Sequence, residues 1–103
     1  MKLNTFKEYL ETNATGYEKF IAKATKYQQL KNKARSPKNR WPEKKVERAI
    51  NAMWDQVVQA AYEKIKQQKG RAHAGSDQIW IQFMNENDFL ELFNESLDEI
   101  EFE

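Results

Sequence analysis

Residues 42–69 carry an apolar stripe too long to hide inside a small fold, so the rest of the chain must be arranged around it. Val46, Ala49, Ile50, Met53, Trp54, Val57, Ala60, Ala61 and Ile65 recur at three- and four-residue steps. That spacing gathers side chains on one face of a helix. Pro42 suits a first helical position, where its missing N–H is not needed. Gly70 is a C-terminal stop. At 1.5 Å per residue such a helix is about 42 Å long. Its stripe is broader than a two-stranded coiled-coil seam requires. The expected role is a spine on which other elements pack.

Those other elements are shorter. Thr5 and Glu8 stand in capping-box spacing with Leu3 outside as a staple, which predicts a first helix from Thr5 with Phe6, Tyr9 and Leu10 on its inner face. Asn13-Ala14-Thr15-Gly16 breaks it. A second helix follows Thr15, again with Glu18 three residues on, and buries Tyr17, Phe20, Ile21 and Ala24. Ser36-Pro37-Lys38-Asn39-Arg40-Trp41 reads as a basic loop, because Pro37 disfavours helix at Ser36. After the long helix, Gly70 to Asp77 reads as a flexible connector. The run Ile79-Trp80-Ile81-Gln82-Phe83 is short, β-branched and aromatic, and predicts a strand. A last helix from Asn85–Asn87 has Phe89, Leu90, Phe93, Leu97 and Ile100 on one face. The expected fold is mainly α: four helices around the long third one, with one short β-strand before the C-terminal helix.

A chain of 103 residues is expected to be one domain. Leu, Ile, Val and Phe supply only 21 of those residues, so three Trp and four Tyr must provide much of the buriable surface. The absence of Cys removes disulfides and thiolate metal sites, and fits a cytoplasmic protein. No 18-residue apolar run occurs, and MKLNTFKEYL has no apolar signal core. Neither a membrane partner nor export is expected.

Charge is the strongest functional signal. Residues 23–48 hold ten basic residues and two acidic ones, a net +8. Residues 76–103 hold nine acids and no Lys or Arg, a net −9. The overall +1 conceals both blocks. Such segregation suits binding to a charged partner, or pairing of the chain's own blocks.

Catalysis finds little support. His73 is the only His, and no second His or Cys could share a metal with it. No nucleophile elbow, zinc-helix motif or phosphate-cradling glycine loop is present. The chain reads as a binding protein rather than an enzyme, with no cofactor and no metal site.

Two candidate surfaces remain. The first is basic: Lys19, Lys23, Lys26 and Lys33 on one face of the second helix, Arg35, Lys38 and Arg40 on the loop, and Lys44 and Arg48 on the spine. Trp41 adds an aromatic that could contact a base. Several cations on one surface are what phosphate binding needs, since each neutralised phosphate releases counterions. The partner expected there is nucleic acid or a nucleic-acid-bearing complex. The second surface is acidic: Asp88, Glu91, Glu95, Asp98 and Glu99 on the last helix. Carboxylates one turn apart stand about 5–6 Å from each other, broadly the spacing of charges along a nucleic-acid strand. That face would bind a basic host protein as a nucleic-acid mimic. In style, small Cys-free chains with segregated charge resemble phage-encoded antagonists of host nucleases such as anti-CRISPR proteins, and no motif here assigns the chain to a family. A third expectation is self-assembly, through pairing of the blocks between chains or through a homodimer built on the Ile79–Phe83 strand. The alternative to all of these is two solvated faces, with Trp41 a staple for the spine helix.

Overall fold

The spine forms as its pattern requires. In the computed structural model, which describes residues 1–69, 77–100 and 102, Glu43–Lys69 is one uninterrupted helix, α3. It is preceded by α1 (Leu3–Asn13), α2 (Gly16–Ala34) and a single 3₁₀ turn (Pro37–Asn39). It is followed by α4 (Asp77–Glu86) and α5 (Phe89–Glu99). The described residues are mainly helical and contain no strand.

Both α1 and α2 run antiparallel to the spine. The Tyr62 hydroxyl donates to the Met1 carbonyl at 2.6 Å, and Lys7 pairs with Asp55. On α2, Tyr17 and Phe20 flank Trp54, while Asn32 meets Trp41. α5 then packs along the start of α2, and α4 packs beside α5. The hairpin of α2 and α3 outruns this bundle. Past Gln28 no residue of α2 is buried, and the molecule measures 51 × 22 × 21 Å. A two-helix tip therefore extends from a five-helix body.

The core is lean and aromatic. Val46, Ile50, Trp54, Val58 and Ile65 form the buried line of α3. Val58 lies outside the expected stripe, while the expected Ala60 is exposed. From Val46 to Val58 the buried line runs at four-residue steps, with Ile65 seven residues further on, and the partly buried Met53, Val57, Ala61 and Tyr62 widen it into a core-facing stripe. Trp54 meets Tyr17, Phe20 and Phe93 with ring centroids 4.7, 5.5 and 6.1 Å away. Further along, Phe6, Tyr62 and Trp80 form a second aromatic cluster, with Tyr62 and Trp80 stacked at 5.0 Å. Trp54 Nε1 has no hydrogen-bond partner among the described residues, which costs about 1–3 kcal/mol.

Several expectations are corrected. The predicted strand at 79–83 is part of α4. Helical spacing buries Trp80 and Met84 four residues apart, and turns Ile79 outward at 44% exposure. In a strand, Ile79 would have shared a face with Ile81 and Phe83. The proposed strand-mediated homodimer loses its basis with the strand, and the described residues hold five α-helices rather than four. The first helix starts at Leu3, and neither Lys2 nor Thr15 caps a helix with its side chain. The start of α2 is capped from a distance instead, by Asn94 Oδ1 accepting from the Gly16 N–H at 2.9 Å. The last helix begins at Phe89, after a break at Asp88. The connector expected from Gly70 lies outside the described residues up to Asp77, which opens α4.

Candidate nucleic-acid interface at the hairpin tip

Asn32 builds the tip. Its Oδ1 accepts the Trp41 N–H at 2.8 Å, and its Nδ2 donates to the Trp41 carbonyl at 3.1 Å. One side-chain amide thus satisfies both polar groups of one backbone residue, clamping the incoming end of α3 to the outgoing end of α2. The same Oδ1 accepts from Arg35 Nη1 at 3.1 Å. Arg40 Nη2 donates to the Lys33 carbonyl at 3.3 Å, an end-of-helix acceptor with no partner inside α2. Between them, Asn39 closes the 3₁₀ turn onto Ser36 through its backbone N–H and its side chain.

Trp41 is half-buried against the core. The Arg35 guanidinium lies over its ring at 3.8 Å and the Lys45 ammonium at 4.7 Å. Both contacts are within cation–π range. The indole therefore works as an anvil that holds two cations in place.

Two concavities flank this point. One, of about 470 Å³, is lined by Lys26, Gln29, Leu30, Asn32 and Lys33. The other, of about 670 Å³, is lined by Trp41, Pro42, Lys44, Lys45, Arg48 and Ala49. The structure thus brings Lys33, Arg35, Lys38, Arg40, Trp41 and Lys44 together at the tip, with Arg48 one turn along α3 from Lys44. It leaves Lys19, Lys23 and Lys26 further down α2, where Lys26 lines one concavity with Lys33 and another with Lys23, Ile100 and Phe102. Lys23 Nζ donates to the Asp98 carbonyl at 3.0 Å, where a helix C-terminus favours a cation.

The ion pairs among the described residues are Met1–Asp77, Lys7–Asp55 and Lys66–Glu63. None involves the basic segment 23–48, and none involves Glu91, Glu95, Asp98 or Glu99. These four acids are exposed on α5. Asp88 does not belong to their row. It holds a left-handed backbone at φ 51° and ends the break between α4 and α5. The resolved pKa shifts lie away from both blocks. The Asp55 carboxylate, hydrogen-bonded to Lys7, raises that ammonium above its ordinary 10.5. Burial, aided by Glu11, raises the Tyr17 phenol above 10.0.

Lys45 counts among the ten cations of segment 23–48, but neither its place over Trp41 nor the role of Asn32 is among the expected site features. Lys45 stands four residues after Trp41, a spacing that signals the contact. Asn32 carried no signal, because its partner is nine residues away across a turn. Among the described residues no group of three metal-ligating side chains occurs, and none of their helices is long and apolar enough to cross a membrane. His73 lies outside the described residues.

The fold and surface define a class: a helical body with a projecting cationic two-helix tip. No protein-family model, curated protein or solved structure matches the chain.

Proposed function

We propose that this chain is a non-enzymatic binding protein whose hairpin tip docks on nucleic acid or a nucleoprotein. One observation carries the reading: the tip concentrates cations that form no ion pair with a carboxylate among the described residues. Arg35 and Arg40 spend only part of their donor capacity, on an amide and a carbonyl. Lys26, Lys33, Lys38, Lys44 and Arg48 are exposed. Such a surface gains affinity through counterion release, which requires no particular base sequence. Trp41 serves this arrangement by aligning Arg35 and Lys45, so phosphate contact outweighs base stacking.

The test is fluorescence anisotropy on labelled duplex and single-stranded oligonucleotides. Lys38→Glu with Arg40→Glu should weaken binding at low salt by at least tenfold, with helicity unchanged by circular dichroism. The slope of log affinity against log salt should become shallower, since fewer counterions are released. Unchanged affinity at low salt would remove the tip from consideration.

The acids of α5 support a second reading, in which the chain inhibits a basic protein by mimicking nucleic acid. Glu91, Glu95, Asp98 and Glu99 form an exposed row free of ion pairs among the described residues. A basic protein captured by the wild type, and lost when these acids become Gln or Asn, would move this reading to first place.

A further inference from the structure

Between α3 and α5 runs an apolar groove that neither charge block explains. Its upper part, about 420 Å³, is walled by Val57, Ala61 and Ile65 on one side and Phe89, Leu92 and Ile100 on the other. It continues, through shared Val57, Ala60 and Ile100, into a second part of about 600 Å³ that reaches Met53, Tyr27 and Phe102. From Met53 to Ile65 the floor follows α3 for about 18 Å, the length of some twelve helical residues. Leu92 stands on its edge at 59% exposure. An elongated apolar channel of this length suits a helix laid in a groove, anchored by side chains at i, i+3, i+4 and i+7.

The rim specifies the charge of that helix. At 100° per residue, Glu99 and Glu95 lie about 20° and 60° around α5 from Leu92, on its solvent side, with Glu91 and Asp98 beyond them. All four are exposed. On the opposite side the lining holds two cations, Lys64 and Lys31. We infer that this groove docks an amphipathic helix of a partner protein whose apolar stripe covers Leu92 and whose flank beside α5 is rich in Lys or Arg. The acids of α5 then act as the rim of an apolar site rather than as a free-standing anionic rod. The inference does not rest on nucleic-acid binding at the tip.

The probe is a fluorescein-labelled Leu/Lys peptide of about 16 residues with Leu at helical spacing. Its controls are a scrambled peptide of equal composition and a Leu/Glu counterpart. The Leu/Lys peptide should bind saturably at one to one, and both controls at least tenfold more weakly. Leu92→Glu adds a negative charge, so adsorption by charge alone would strengthen, whereas groove docking should weaken at least tenfold. Ala60→Arg, at an exposed floor position, should weaken it by bulk. Glu95→Lys with Glu99→Lys should shift preference toward the Leu/Glu peptide. Equal binding of the scrambled peptide, tighter binding to Leu92→Glu, or no binding would each overturn the inference. So would a concentration-dependent mass increase by light scattering that Leu92→Glu abolishes, which would make a second copy the occupant. Duplex affinity should be unchanged in Leu92→Glu, so failure here leaves the tip reading intact.

Discussion

Gly16 illustrates how one atom sets the approach of two helices. A Cβ built on it would stand 2.9 Å from Leu97 Cδ1 and 3.0 Å from Asn94 Oδ1. Leu97 is itself buried, so it has little room to move. The sequence marked Gly16 only as part of a break, whereas its use is to let the start of α2 lie against α5. The same proximity lets Asn94 cap the Gly16 N–H. Gly16→Ala should therefore destabilise by about 1–3 kcal/mol through overpacking. Asn94→Ala should cost about 1 kcal/mol through the lost cap. Both are read by urea unfolding, and a neutral Gly16→Ala would mean that α5 docks less closely than described. Nothing local announces such a cap, because its donor and acceptor are 78 residues apart. Local capping rules favoured Thr5 and Thr15: α1 instead starts at Leu3, while Thr15 does stand at the N-cap of α2 but without a side-chain hydrogen bond, the Gly16 N–H being held by Asn94.

At the scale of elements, long periodic segments were legible and short ones were not. The spine and the turn before it follow from period and Pro, and α3 begins one residue from where Pro42 predicts, while Gly70, the expected stop, lies outside the described residues. α4 was misread because Ile79, Trp80, Ile81 and Phe83 are β-formers in a run too short to establish a period. The missed clue is Met84, four residues after Trp80, and both are buried. Trp54 on the spine and Trp41 just before it allow a comparison. Trp54 is enclosed by three aromatic rings, and Trp54→Ala should cost about 3–5 kcal/mol. Trp41 is half-buried at the two-helix tip, so Trp41→Ala should cost clearly less stability but should release Arg35 and Lys45. Thermal unfolding alongside oligonucleotide titration separates the two effects. Equal destabilisation would make Trp41 a core residue with no separate duty at the tip.

Across the whole molecule, the tip cations and the described acids of α5 lie on different parts of the fold. The basic residues crowd a tip that only two helices build, while the acids of α5 lie on the body. In the described residues the two segments meet where Lys23 donates to the Asp98 carbonyl and where Phe102 packs on Tyr27, contacts that need no carboxylate. The sequence revealed both blocks but could not say whether they faced each other, since that depends on where α5 docks along α2. This arrangement makes a sharp expectation for Glu91→Gln, Glu95→Gln and Asp98→Asn combined. Removing three like charges from one helix surface should leave the melting temperature equal or slightly higher. Because no cation among the described residues pairs with them, the effect should be nearly the same in low and high salt apart from relief of their mutual repulsion. A melting temperature that falls in low salt and recovers in high salt would mean that the blocks attract each other in solution, within one chain or between two. In that case the tip's charge would already be partly neutralised, and its affinity for oligonucleotides should rise in the triple variant. If the blocks are independent, oligonucleotide affinity should change only by the small long-range gain from three fewer negative charges on the body.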